Sequence, residues 1–168
     1  LSFPLVVGDD LEVPLRVHGS YSMSEIMGGF GVIRNGRLLS PQTGVFWHPE
    51  TKTDLLFVTL QKSEAEYSPK TLYRDYPLSE TLFHWESQHH TAEDSTTGQR
   101  YIHHVERGSH VVLFVRHQKK IGGVNQPYVC LGRAKYVRHQ DERPMQITWE
   151  LERPMPGRFF EQAKVAAG

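Results

Sequence analysis

Three short stretches of the chain bring cations and aromatic rings together: Lys70-Thr71-Leu72-Tyr73-Arg74-Asp75-Tyr76-Pro77, then Phe83-His84-Trp85, then Arg100-Tyr101-Ile102-His103-His104. Basic groups interleaved with flat rings suit a sugar-phosphate chain, because the cations neutralise phosphates while the rings pack on sugars or bases. The Tyr76-Pro77 step adds a small rigid apolar corner, of use where one atom of a ligand must be told from another. By residue type alone, Tyr73 and Tyr76 fit core packing as well as they fit binding, and Pro77 fits a turn.

The charge pattern bears on the same choice. Lys and Arg number 19 and Asp and Glu number 19, so the formal net charge is zero and no general polyanion affinity follows. The average conceals an asymmetry. From Gly98 to His139 the only acid is Glu106, set against Arg100, Arg107, Arg116, Lys119, Lys120, Arg133, Lys135 and Arg138. From Gln61 to Asp94 the balance reverses, with Glu64, Glu66, Asp75, Glu80, Glu86, Glu93 and Asp94 outnumbering Lys62, Lys70 and Arg74. Charge segregated in this way sets up a local field that one face of the molecule can direct at an anion.

Other chemistries find little support. The His89-His90 and His103-His104 pairs are expected in extended segments, where neighbours point to opposite faces, so neither pair holds a metal unaided. There is no H-E-x-x-H or C-x-x-C spacing for zinc, no G-x-S-x-G turn for a nucleophile, and no P-loop. Carboxylates and histidines fall in different segments, which disfavours a nuclease centre. No catalytic residue, metal or cofactor is therefore expected. The single Cys130, in the alternating run Tyr128-Val-Cys-Leu-Gly132, reads as buried filler and leaves no partner for a disulfide.

The elements that must position these residues are mostly strands. Val13–His18 reads as a strand, and Ser22-Met-Ser-Glu25 has capping-box spacing for a short helix stopped by Gly28-Gly29. Gly44–Pro49 and Asp54–Leu60 read as a hairpin, and Ser63–Glu80 as a long ordered loop. Further strands are expected at Leu82–Glu86, Arg100–Val105, His110–His117, Tyr128–His139 and Met145–Leu151, with a hairpin tip at Gln118–Pro127 and a last helix at Phe159–Ala166. The length of 168 residues and a 38% hydrophobic content fit one globular domain over residues 1–168. The expected class is α+β and β-rich, a twisted antiparallel sheet or partly closed barrel with short peripheral helices. No run is long and apolar enough for a membrane span and no export signal is visible, so a soluble, cytoplasmic protein is expected.

The stretch from Asp54 to Gln88, with Thr97-Gly-Gln-Arg-Tyr-Ile-His-His104, Gly108–Arg116, Pro127–Val137 and Arg143–Leu151, resembles a domain that follows helicase and phospholipase-D-type nuclease modules in certain bacterial defence helicases. The likeness runs from about Leu15 to Pro156. The layout also resembles, more remotely, the sulfur-binding domains of type IV restriction enzymes, which recognise phosphorothioate DNA. In those domains an aromatic-proline step helps form an apolar sulfur pocket, and Tyr76-Pro77 matches that step. Phe83–Gln88 resembles a following F-x-Y-x-G-E-G-Q pattern without its glycines, and Arg100-Tyr-Ile-His103 resembles a later basic stretch.

The resemblance implies a non-catalytic reader of double-stranded, phosphorothioate-modified DNA, fused to or associated with a nuclease or helicase. Tyr76 and Pro77 would meet the sulfur, and Arg74, Arg100, His103 and His104 the flanking phosphates and bases, with Tyr73, Lys70 and Tyr21 as further contacts. Three rivals remain at this point: a reader that flips a methylated base into an aromatic pocket around Trp85, a nuclease built on His103 and His104, and a protein-interaction module that docks a helicase and binds no DNA.

Overall fold

A computed structural model describes residues 3–34, 37–38, 44–61 and 74–168 of the chain. Along the sequence the elements are β1 (Phe3–Val7), β2 (Leu11–Val17), β3 (Ser20–Tyr21), α1 (Met23–Gly29), β4 (Ile33–Arg34), β5 (Arg37–Leu38), β6 (Val45–His48) and β7 (Thr53–Gln61). They continue with β8 (Tyr76–Pro77), β9 (Leu82–Glu86), α2 (Thr96–His103), β10 (His110–Gln118), β11 (Lys120–Ile121), β12 (Val124–Asn125), β13 (Tyr128–Gln140), β14 (Gln146–Leu151) and α3 (Gly157–Ala167).

The central sheet has the order β6-β7-β10-β13-β14-β9-β8, with β3 added beside β13. The expected α+β, β-rich class holds, and the sheet is twisted and open. Its pairings are antiparallel except at the centre, where β7 and β10 run parallel from His110↔Thr53 to Gln118↔Gln61. A parallel pair needs a crossover, and the excursion through β8, β9 and α2 supplies it. Strand β7 is buried at every residue but the last, as expected for a strand covered on both faces.

Alternation along the central strands sorts side chains into two cores. Leu55, Phe57, Val112, Phe114, Tyr128 and Cys130 face the β1-β2 hairpin and α1. Leu56, Val58, Val111, Leu113, Val115 and Leu131 face α2 and α3, joined by Trp85, Tyr101, Trp149 and Phe159. In β2 the buried Val13, Leu15 and Val17 alternate with exposed residues, and Pro14 is tolerated because β2 pairs only with β1. The capping box of α1 forms as expected: Ser22 Oγ accepts the Glu25 N–H at 3.1 Å, and Glu25 Oε1 accepts the Ser22 N–H at 2.8 Å.

One expected strand is a helix. Residues 100–103 end α2 rather than forming β structure, so His103 and His104 close a helix instead of alternating across a sheet. The cause precedes the segment: Ser95 Oγ accepts the Gly98 N–H at 3.0 Å and caps the helix. Only a glycine fits at 98, where a Cβ would collide with the Ala92 carbonyl. Gly98, Tyr101 and His104, spaced by three, then form the buried face. The second difference is at Tyr76–Pro77, expected inside a long loop, which makes a two-residue strand paired with β9.

Helix α2 is tied to the sheet by a buried ion pair. Arg100 Nε donates to Asp54 Oδ2 at 2.7 Å and Arg100 Nη2 to Asp54 Oδ1 at 2.8 Å. Asp54 has no exposed surface, and Trp47, its cross-strand neighbour on β6, lays its ring against the guanidinium at 4.4 Å. Burial pushes the Asp54 carboxyl above its ordinary range while Arg100 opposes the rise. Burial acts to lower the Arg100 guanidinium and Asp54 more than compensates, so it stays above its usual value. A guanidinium does not deprotonate in proteins, so its bidentate contact holds Asp54 as the carboxylate near neutral pH.

Removing one partner of such a pair strands the other charge. Arg100→Ala is therefore expected to lower the unfolding free energy by about 3–5 kcal/mol, whereas replacing Asp54 and Arg100 together by leucine should cost much less. Urea denaturation of the two variants checks this. A small loss from Arg100→Ala alone would show that the pair does not hold α2 in place.

Candidate nucleic-acid interface

The Tyr76-Pro77 step is held by β9, and His84 is the pivot. Its Nδ1–H donates to the Arg74 carbonyl at 3.1 Å, and its ring stacks on Tyr76 with centroids 4.4 Å apart and planes 11° from parallel. On the next residue, Asp75 Oδ1 accepts the Glu86 N–H at 2.9 Å. The segment from Arg74 to Pro77 is thus fixed by backbone and ring contacts to one neighbouring strand. Pro77 is buried at the outer edge of the sheet, where its missing N–H breaks no ladder bond. Tyr76 remains 37% exposed, one face on His84 and the rest toward solvent.

This edge forms one wall of a cleft of about 800 Å³. Arg74, Tyr76, Pro77, His84, Gln146 and Lys164 line it, together with the carboxylates of Asp75 and Glu86. Helix α3 packs against β7, β10 and β8, so the sheet curls round it and its C-terminal residues Ala166–Gly168 reach the cleft. Lys164 lies 3.7 Å from Glu161 in an exposed ion pair, a contact weak enough to yield to a stronger anion.

Register sets a row that runs from the cleft through the buried His84 and Thr148 to the exposed Arg138. Tyr76 pairs with His84, His84 with Thr148, and Thr148 with Arg138, so the side chains form one row across β8, β9, β14 and β13. Three strand spacings put the exposed Arg138 roughly 14 Å from Tyr76 along that row. The next row is amide-rich: Gln140 Nε2 donates to Gln146 Oε1 at 3.1 Å, and Gln146 Nε2 donates to Asp141 Oδ2 at 3.2 Å.

The expected site residues divide. Arg74, Tyr76 and Pro77 meet at the cleft; Tyr73 and Lys70 fall outside the described residues. Arg100 is engaged by Asp54 on the opposite face of the sheet, and its fork is occupied. His103 Nδ1 lies 3.2 Å from Glu106 Oε1 at the end of α2. His104 is buried, its Nδ1–H donating to the Ser109 carbonyl at 3.3 Å and its Nε2 accepting the Tyr136 N–H at 3.1 Å. Tyr21 pairs with Tyr128 beside the β2 core, where its hydroxyl oxygen accepts the Arg16 N–H at 2.8 Å.

The basic segment thins in the same way. Arg116 is taken by Thr59 Oγ1 at 2.9 Å and Arg133 by Glu152 at 2.7 Å, while Arg107, Lys119, Lys120, Lys135 and Arg138 are exposed. Trp85 is 3% exposed, packed against Tyr101 and Trp149, so among the described residues its ring is a core element and does not line an open pocket. With His104 in the core, the His103-His104 pair presents no shared centre. Among the described residues no group of His, Cys, Asp and Glu side chains is placed to hold a metal ion, and no helix is long and apolar enough to cross a membrane.

The profile described as "Domain of unknown function (DUF3427)" matches residues 15–163. The chain belongs to this family. A search of curated proteins returned no match. In this DUF3427 domain, sequence reasoning did not single out Lys164 or Arg138 as site residues, and it placed His84 in the aromatic-basic constellation without its pivotal role. The cross-strand row that gathers Arg138 and His84 depends on a β13-β14-β9-β8 order that residue spacing does not contain, and Lys164 reaches the cleft only because the sheet curls.

The neutral tautomer of His104 has a measurable consequence. Burial holds its imidazole below the ordinary histidine range, the Ser109 carbonyl opposes this, and His110 and Lys135 reinforce it. His18, His110 and His117 are likewise lowered, each chiefly by burial. The unfolded chain therefore binds protons below about pH 6.5 that the native state refuses. Stability is complete above that pH and is lost as pH falls toward the lowered native values. His104→Gln, which keeps an acceptor for Tyr136 but cannot titrate, should reduce proton uptake on unfolding near pH 6 by up to about one. Urea titrations between pH 7.5 and 5 test this, and an unchanged slope would remove His104 from the account.

Proposed function

We propose that this DUF3427 domain is a non-catalytic reader of double-stranded DNA, which seats a backbone phosphorothioate at the Tyr76 wall of the cleft and serves a nuclease or helicase partner. The observation that carries the reading is the part-exposed Tyr76 ring, backed by a parallel His84, in a cleft that Arg74 and Lys164 also line. A pre-stacked ring is a rigid platform for a sugar, a base or a soft atom. Flanking cations supply attraction to phosphates without sequence information.

Sulfur is larger and more polarisable than oxygen and a poorer hydrogen-bond acceptor, so an aromatic face favours it where water favours oxygen. The gain should be that of a buried methylene or somewhat more, about 1–3 kcal/mol, or about ten- to a hundredfold in affinity. Pro77, being buried, contributes by stiffening the strand beneath Tyr76 rather than by offering its own ring. The acids Asp75 and Glu86 in the cleft sharpen the requirement for position, since a misplaced phosphate meets repulsion.

Fluorescence anisotropy with phosphorothioate, base-methylated and plain duplexes of one sequence tests the proposal. The wild type should prefer the phosphorothioate about ten- to a hundredfold and ignore methylation, with affinity falling as salt rises. Tyr76→Ala should remove most of that preference while leaving the salt-sensitive binding to plain DNA nearly intact, with a thermal melt confirming the fold. Equal proportional losses on all three duplexes would make Tyr76 structural and place recognition elsewhere.

A further inference from the structure

Strand β10 leads into a short two-stranded ribbon outside the central sheet. Strands β11 and β12 pair as Lys120↔Asn125 and Ile121↔Val124 around Gly122-Gly123. Both glycines have positive φ, 57° and 80°, the tight two-residue turn that matches strand twist and suits glycine. Ile121 is 53% and Val124 64% exposed, so an apolar pair caps the tip and stays largely uncovered among the described residues. Lys119 and Lys120 are exposed beside it, and no acid occurs anywhere from Arg107 to Gln140.

The root of the ribbon is rigid and well placed. Arg116 Nε donates to Thr59 Oγ1 at 2.9 Å and its Nη1 to the Gln126 carbonyl at 3.3 Å, with the guanidinium 4.4 Å from the Tyr128 ring centroid. The Gln126 N–H closes the base on the Lys119 carbonyl at 2.9 Å. Gln118 pairs with Gln61, and Gln61 lines the Tyr76 cleft, so the ribbon springs from the strand end beside that cleft.

We infer that the β11-β12 ribbon is a second DNA contact, entering the major groove next to the backbone held in the cleft. This rests on the DNA-binding reading above. A major groove about 12 Å wide admits a two-stranded ribbon as it stands, whereas a minor groove about 6 Å wide must be widened or kinked to take one. Lys119 and Lys120 then meet the phosphates of the groove wall, and Ile121 and Val124 pack on sugars and thymine methyls. A protein partner fits less well, because an apolar tip of two side chains falls far short of the roughly 1,000 Å² that a stable interface buries.

The test is anisotropy on plain and phosphorothioate duplexes from 50 to 200 mM salt, with the wild type, Lys119→Ala/Lys120→Ala, and Ile121→Ser/Val124→Ser. The lysine variant should bind both duplexes about tenfold more weakly at low salt, and its log-log salt slope should shrink by up to about 1.8. The apolar variant should lose affinity several-fold with its slope unchanged. Both should keep the wild-type ratio between duplexes. Binding by both variants within twofold of wild type on both duplexes overturns the ribbon contact and leaves the ribbon to a protein partner. A wild type without phosphorothioate preference defeats the sulfur reading alone, since the ribbon contact is still read on plain duplex; a wild type that binds no duplex ends both.

Discussion

A carboxylate without exposed surface, set in an inner strand of a sheet, demands a cation, and helix α2 is docked through the cation that answers it. Asp54 faces the α2 side of β7, and Arg100 reaches it from the last turns of α2 with a two-pronged contact capped by Trp47. Once that fork is closed, Tyr101 is delivered against Trp85 and Trp149, and His104 is brought within reach of the β13 backbone. Tyr101 and His104 both find hydrogen-bond partners in this docking, Gln88 for the hydroxyl and Ser109 and Tyr136 for the imidazole. Buried polar contacts of this kind reject near-miss packings more than they add to stability.

The cleft obeys a different logic. Its residues are gathered by an edge strand of two residues, and His84 backs the Tyr76 ring. His84 serves through its shape and its donor: one nitrogen holds the Arg74 carbonyl while the flat face carries Tyr76. The consequence is a separation of tasks among the cations. Arg100 is consumed in holding the fold, while Arg74, Arg138 and Lys164 remain exposed.

The sequence made the fold class legible because β-branched and aromatic runs between turn residues mark strands locally, as in β6 and β7, and period-two alternation marks others, as in β2. It also marked the α1 cap, since Ser22 and Glu25 act over three residues. It failed at α2, where Tyr101-Ile102 and Val105 look β-like and the helix is set by Ser95 and by the packing of Gly98, outside the apolar run. Of the site, Arg74, Tyr76 and Pro77 were readable because they adjoin in sequence. Arg100 and His104 were misjudged for a reason no composition reveals: their partners, Asp54 and the Tyr136 backbone, come from distant strands. A basic residue looks the same in sequence whether its charge faces a phosphate or a buried aspartate.

The parallel pairing of β7 with β10 sets the order in which the chain can assemble. Residues 62–109 must loop out before Thr53–Gln61 meets His110–Gln118, and a long closure with few local contacts is slow. The β1-β2 hairpin closes through neighbours alone and needs no such wait. Strands β8 and β9 sit inside the excursion, yet β9 finds its place only by pairing with β14 near the chain's end. The Tyr76 edge is thus among the last parts to acquire a scaffold during synthesis, and a nascent chain released before β14 has no surface on which to arrange it.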